Sequence, residues 1–325
     1  WAAWAAWAAW AAWVVWETWV SKTYIKLYYI GAASCGPIFS RELPVTNLLE
    51  NVAAVLKETA TEVILPRFNA LTEEQIQEKS GPGDLVTVAD IEAEDKISNA
   101  LKQLLPGSQV VGEETTSKNP RTIDLLSSGS LVWVVDPIDG TKNFTRGNHL
   151  FCTMVCLVKS SLPILAVIFD PLSDTYLSAE EGSGAWLHST NGISAKKLRV
   201  QDTIDLSQMS GFLSLGGFKD RPTRDKMRML ASKLFKSYDN LGCSGHEYIQ
   251  IITSMRQFAI NYRTFPWDHL PGSLIHSEAG GYQASFDGAK YDPTKLTKGL
   301  ISAPSEIAWK HIRESFLNNY LPNKS

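Results

Sequence analysis

Four acidic positions stand where short apolar runs stop, and carboxylates so placed can hold a cation or move a proton. The densest such place runs from Leu131 to Phe144. An apolar stretch, Leu131–Val135, delivers Asp136 at its end. Pro137 has no amide with which to continue a ladder, so the chain is expected to turn there. Asp139 then comes back within reach of Asp136, and the Ile138 carbonyl can point into the same space. Gly140 and Thr141 follow with free amides, and glycine lets backbone come close to a ligand. Two carboxylates and a carbonyl suit a hard cation such as Mg2+. Neighbouring amides suit a phosphate. An Asp-Pro turn followed by an Asp-Gly turn is the plain alternative.

Other acids repeat the placement. Glu113 follows the short run Gln109–Gly112, and Asp90 ends the run that begins at Asp84. There Asp90 could serve merely as a helix N-cap. Asp268, in Thr264–Asp268, falls in the first turn of a helix that closes at Gly280-Gly281. Each alone reads more as a cap than as a site. Four together, with no evident basic partner, favour a metal site. An aspartyl-phosphate mechanism of the haloacid dehalogenase type wants its two acids two residues apart; Asp136 and Asp139 are three apart with a proline between. No Cys-x5-Arg loop accompanies Cys152, Cys156 or Cys243.

The elements that must carry these residues are legible in outline. Helices are expected over Thr46–Phe68, capped by Thr46 or Asn47, and over Glu92–Leu105, closed by Pro106-Gly107. Strands are expected at Gln109–Gly112, Leu131–Val135, Phe151–Val158, Ile164–Phe169, Thr175–Ala179 and Gly184–Leu187, the last four as an antiparallel meander. Later helices are expected at Met227–Phe235, Glu247–Thr253, His269–Glu278 and Glu306–Leu317. The irregular alternation argues for a layered α/β or α+β sandwich. Gly211–Gly217 lacks dinucleotide-binding spacing and reads as strand and turn.

Of the 325 residues, 44% are hydrophobic and 20% charged, which suits a globular chain and excludes a wholly disordered one. Net charge is −3 with no basic run, so no nucleic-acid surface is expected. Cys35, Cys152, Cys156 and Cys243 make no metal-type pair in spacing; Cys152 and Cys156 read as buried thiols, and a reducing cytosol is the default. The six His show no metal spacing. His269 follows Asp268 but points about 100° away on a helix, so it reads as a solvated or supporting residue. Seven of the 11 Trp recur every third residue from Trp1 to Trp19. They would circle a helix rather than form a face, and the 16 uncharged residues before Glu17 fall short of the ~20 that span a bilayer. This segment lacks an initial Met and a basic start. It reads as a translated repeat or mis-set gene start, with a membrane-associating tail as the alternative. Residues 1–44 thus form an extension and linker, and 45–325 the catalytic domain.

From about Thr46 to Ile312 the chain resembles the inositol monophosphatase family of Mg2+-dependent, lithium-sensitive phosphatases. The resemblance rests on the run from Gly83 to Asp90, Val111-Gly-Glu113-Glu114, Trp133–Phe144, and Pro266–Gly272 with Glu278–Gly281, in that order. It implies a five-layered α-β-α-β-α sandwich of the inositol monophosphatase/fructose-1,6-bisphosphatase type, assembled as a homodimer. It implies that Glu113, Asp136, Asp139, Asp268 and the Ile138 carbonyl bind two or three Mg2+. Asp90 would hold a third ion or its water and, with Thr141 and Glu113, serve catalysis by orienting the attacking water. The amides of Gly140 and Thr141 would hold phosphate oxygens, and Lys79 would lie on a mobile loop covering the site.

Such a site fits phosphoryl transfer, where positioning and charge neutralisation dominate. Asp139 would also touch substrate. Asn261 stands where the animal inositol enzymes carry a Glu contacting inositol hydroxyls, and Ser244 where they carry a small residue. Both could instead be packing or turn residues. Lys142 replaces a Thr, and Asp-Gly-Thr-Lys recurs in histidinol phosphatases and 3′(2′),5′-bisphosphate nucleotidases. The expected activity is hydrolysis of a small phosphorylated metabolite, inositol monophosphate first, in the cytoplasm and with no membrane partner. A silent metal-binding scaffold is the non-enzyme alternative.

Overall fold

The computed structural model describes residues 24–26, 42–44, 48–79, 85–190, 195–216, 218, 220–296 and 299–317. The chain divides into two units, Trp1–Leu48 and Leu49–Ser325. In the first, β1 (Tyr24–Lys26) pairs antiparallel with β2 (Glu42–Pro44), within the stretch expected to be a linker. The Trp repeat lies outside the described residues.

Helix α1 (Leu48–Thr59), in the second unit from Leu49 on, runs on through a π-helical turn at Ala60–Ile64 and a 3-10 turn at Leu65–Arg67. Pro66, which has no amide to donate, sits in that closing 3-10 turn. The expected caps Thr46 and Asn47 lie outside the described residues. A short hairpin, β3 (Ile76–Glu78) with β4 (Leu85–Thr87), leads into α2 (Val88–Leu104). That helix starts before Glu92, because Thr87 caps it and Asp90 returns a bond to the cap.

Seven strands follow: β5 (Gln109–Gly112), β6 (Leu131–Asp139), β7 (Cys152–Lys159), β8 (Leu162–Asp170), β9 (Thr175–Glu180), β10 (Ala185–Ser189) and β11 (Ala195–Leu198). They lie in one sheet in reverse chain order, antiparallel throughout except for the parallel pair β5–β6. The expected meander is therefore present. Short helices α3 (Glu113–Lys118) and α4 (Thr141–Thr145) leave β5 and β6 at the same end.

A second sheet holds β12 (Ser210–Ser214), β13 (Ser237–Asp239), β14 (Phe258–Asn261), β15 (Tyr282–Ser285) and β16 (Leu300–Ala303), in the order β13-β12-β14-β16-β15. Helices α5 (Arg221–Leu234), α6 (Ser244–Ile252), α7 (Pro266–Glu278) and α8 (Glu306–Ile312) complete the unit. Helix α2 covers one face of the first sheet, α6 and α7 fill the space between the sheets, and α5 and α8 cover the second sheet's far face. This is the five-layered sandwich the resemblance implied.

Period-two alternation fixes which way β6 faces. Val132 and Val134 join Ile251, Leu270 and Leu274 in the core between the sheets. Trp133 and Val135 point the other way, and Trp133 Nε1 donates to Ser108 Oγ at 3.1 Å. Each fully buried aliphatic here contributes about 1.5–3 kcal/mol. A second core, with Met209, Met227, Phe258, Ile301 and Trp309, anchors α5 and α8. Among the described residues no helix is long and apolar enough to cross a membrane.

Candidate active site

Parallel pairing of β5 with β6, Gly112 opposite Val135, sets the two strand ends side by side, so Glu113 and Asp136 emerge as neighbours. Strand β6 does not turn at Pro137 as expected. It continues to Asp139, with Asp136 opposite Met154 and Asp139 opposite Cys152. Three steps on β6 thus match two on β7, and the extra residue is a bulge that absorbs the missing proline amide. Thr153 Oγ1 donates to the Pro137 carbonyl at 3.0 Å and holds the bulge. The bulge leaves both Asp136 and Asp139 buried on the site side.

Asp268, in the first turn of α7, completes the group: ligand oxygens of Asp136, Asp139 and Asp268 all lie within 4.8 Å of one another. Asp136 is 1% exposed and its Oδ1 has no hydrogen-bond partner. Burial, then the charges of Glu113, Asp139 and Asp268, pushes the Asp136 carboxyl well above the usual carboxylate range. Asp268 is raised likewise, by burial and then by Asp139 and Glu113. Like charges gathered out of water are costly unless a cation joins them. The orphaned oxygen and the all-oxygen donor set therefore fit a hard cation.

The acids do have a basic partner, contrary to expectation. Lys79 Nζ lies 2.6 Å from Glu113 Oε1 and 2.5 Å from Glu114 Oε1, with its side chain 7% exposed. Burial works against that ammonium, but Glu113 and Glu114 outweigh it and hold its pKa above the ordinary lysine value. Burial raises Glu113 to about 7 and Glu114 to about 8, Lys79 offsetting part of each shift. The segment after Lys79, residues 80–84, lies outside the described residues.

Asp90 is fully buried and both its oxygens are engaged. Oδ2 accepts from the Thr87 amide at 2.8 Å and from Thr87 Oγ1 at 2.6 Å, while Oδ1 faces Thr141 Oγ1 at 3.0 Å. Asp90 is thus the partner of the N-cap rather than the cap itself. Thr141 Oγ1 also lies 3.0 Å from the Ile138 carbonyl, so its one hydrogen serves either acceptor. Gly140 has φ of 88°, and a Cβ there would meet the Leu150 carbonyl at 2.8 Å. Only glycine makes that corner without strain.

Asp139 is fixed by the start of α6. Its Oδ1 accepts from the Ser244 amide at 3.2 Å and its Oδ2 from the Gly245 amide, where the helix N-terminus favours negative charge. Ser244 therefore meets the acidic group through its backbone. Asn261 is buried at the end of β14, opposite Leu300 of β16. His269 is not solvated: it is buried between Tyr248 and the Arg263 carbonyl, and burial lowers its pKa to about 4. Lys142 is exposed.

Sequence reasoning missed three supporting carboxylates. Glu94 of α2 is 2% exposed and accepts from the Glu114 amide at 2.7 Å, the Thr115 amide at 2.8 Å and Thr115 Oγ1. It caps α3 and so fixes Glu113; a Cβ on Gly112 would collide with it at 2.2 Å. Glu114 shares Lys79 with Glu113. Glu247 accepts from the Leu241 amide at 3.1 Å and steadies the approach to α6. The spacing of Glu94 four residues after Asp90 was the available signal: it sets both on one helix face.

The family model for the inositol monophosphatase family matches residues 46–318. The chain belongs to this family. Inositol monophosphatase 1 of Solanum lycopersicum is 31% identical over 247 residues, covering 73% of this chain and 82% of its own. The fructose-1,6-bisphosphatase/inositol-1-monophosphatase of Thermotoga maritima is 29% identical over 215 residues, covering 66% and 77%. A solved Thermotoga maritima IMPase shares the fold with a TM-score of 0.69 at 22% identity, covering 83% of this chain and 96% of that one. Family membership makes the chain a phosphatase, a phosphoric monoester hydrolase.

Proposed function

We propose that the chain is a Mg2+-dependent phosphomonoesterase acting on a small polar phosphate ester, inositol monophosphate first. The observation that carries the reading is the orphaned Asp136 Oδ1 between Asp139 and Asp268, beside the Thr141–Asp90 pair. Asp136, Asp139, Asp268, Glu113 and the Ile138 carbonyl would hold two or three Mg2+. Bound Mg2+ would supply positive charge to the phosphoryl oxygens and lower the pKa of a water at the site.

The chain's own residues do the rest. Thr141 gives its hydrogen to Asp90 Oδ1 and keeps a lone pair with which to accept from the attacking water. Asp90, whose pKa burial raises, is placed to take the proton through that hydroxyl. The Gly140 and Thr141 amides receive phosphate oxygens. Asp139 at the end of β6 and Ser244 at the start of α6, with Asn261 at the end of β14, would border the leaving group. Lys79 offsets part of the charge of Glu113 and Glu114. A homodimer and a cytosolic location belong to the same reading, the buried free thiols Cys152, Cys156 and Cys243 supporting the latter.

A second substrate reading draws on Asn261, which brings no charge to the position, and on the Thermotoga maritima relative, whose name joins fructose-1,6-bisphosphate to inositol-1-phosphate. Histidinol phosphate and a 3′(2′),5′-bisphosphate nucleotide belong beside both in the test. A panel of these esters with Mg2+, scored by kcat/KM, is expected to rank inositol monophosphate first. Asp136→Asn should lower kcat/KM by about 10³-fold or more. A parent inactive on every ester would leave the scaffold reading.

A further inference from the structure

Cys152, the first residue of β7, and Cys243, just before α6, stand 91 positions apart in the chain, yet their sulfurs are 3.9 Å apart. Both face the same carboxylate oxygen: Asp139 Oδ2 is 3.1 Å from Cys243 Sγ and 3.7 Å from Cys152 Sγ. All three side chains are buried. Phosphoryl transfer makes no use of either thiol.

Nearly twice the ~2.05 Å of a disulfide, the sulfur separation instead matches a metal polyhedron. Two thiolates at about 2.3 Å from a tetrahedral Zn2+ stand about 3.8 Å apart, and a thiolate and a carboxylate oxygen about 3.5 Å apart. The observed 3.1 and 3.7 Å bracket the second value. A Cβ on Gly245 would lie 2.2 Å from Cys152 Sγ, 2.9 Å from Met154 Sδ and 3.2 Å from Asp139 Oδ2. Glycine alone leaves these atoms their room, and the Met154 thioether borders the same space. Two thiols, a thioether and one carboxylate form a soft donor set, opposite in preference to the all-oxygen group beside it.

We propose that Cys152, Cys243 and Asp139 form a site for a thiophilic divalent cation such as Zn2+, and that filling it draws Asp139 away from Asp136 and Asp268. The two thiol protons leave to solvent as the ion binds, and no electron moves. An ion entering the acidic group reaches the thiols across the Asp139 carboxylate that the two sites share. The inhibitory consequence rests on the proposed catalytic-metal role of Asp139; binding does not.

Cd2+ reports thiolate ligation through its ultraviolet charge-transfer absorption, and is titrated into the full chain carrying Cys35→Ser, kept reduced with a phosphine. Absorption should saturate at one Cd2+ per chain, and phosphatase activity with Mg2+ should fall over the same range and return on chelation. Cys152→Ser and Cys243→Ser should each weaken Cd2+ binding by about 10- to 100-fold. Cys156→Ser should leave both curves in place. No absorption at one equivalent, absorption surviving in both cysteine variants, or full absorption with activity untouched would each overturn the proposal. A parent inactive before any Cd2+ is added counts against the phosphatase reading instead, and the absorption titration still decides this one.

Discussion

Thr141 stands between Asp90 and the Ile138 carbonyl, 3.0 Å from each, and its value lies in that position rather than in holding charge. Thr141→Ala is expected to lower kcat by about 10²- to 10⁴-fold, the range of general acid–base assistance. The Mg2+ concentration for half-maximal rate should change little. An equal loss of Mg2+ affinity would contradict the role given to Thr141. His269 teaches the opposite lesson at this scale. It follows a site residue, yet its ring is spent on Tyr248 and a backbone carbonyl. Adjacent residues on a helix face different surroundings, and nearness in sequence confers no function.

Short elements do the positioning. Glu94 shows how: a buried carboxylate on α2 holds the first amides of α3 and so aims Glu113. Glu94→Ala should cost about 1–3 kcal/mol through buried amides left without an acceptor. It should also raise the Mg2+ requirement, because Glu113 loses its support. Denaturant unfolding and Mg2+-dependent rates check the two effects, and unchanged Mg2+ dependence would break the link between cap and site. The boundaries of these elements were legible where chemistry is local. The meander kept its predicted strands to within two residues, whereas the reciprocal cap of Thr87 with Asp90 starts α2 four residues before the expected Glu92. The β6 bulge was not legible. Whether a chain turns at Pro137 or bulges through depends on the partner strand, and β7 offers Met154 and Cys152 on either side of the irregularity.

At the scale of the molecule, the gathered acids make stability depend on pH and on cations. Glu113 at about 7 and Glu114 at about 8 are raised above the ~4.3 of an unfolded Glu. Between those values the folded chain binds more protons than the unfolded one. Their contribution to stability is therefore fully present below about pH 4 and lost as pH rises through about 7–8. A bound cation removes that penalty, so Mg2+ should raise Tm little near about pH 5 and markedly near about pH 8. Thermal melts with EDTA and with Mg2+ at both pH values check this; an equal rise at both would refute it. The site draws on residues from Lys79 to Asp268, all in the second unit. Removing residues 1–40 should accordingly leave kcat/KM and Tm unchanged, and a loss of either would give the Trp-rich segment a part in folding or catalysis.

What the sequence determined by itself was the chemistry on offer and its local frame. Apolar runs ending on Glu113, Asp136 and Asp139, an acid in the first turn of α7, and the Gly140–Thr141 corner are short-range features. They are set by period-two burial, capping and glycine geometry, which act over a few residues. Tertiary structure decided which of these ends meet. Parallel pairing of β5 with β6 joined Glu113 to Asp136, the layer of α6 and α7 carried Asp268 onto them, and the hairpin before α2 delivered Lys79 to two of the acids. The same folding set Cys152 beside Cys243, a pair that spacing alone had ruled out. Contacts of that kind depend on sheet order and layer packing, and those are properties of the whole chain.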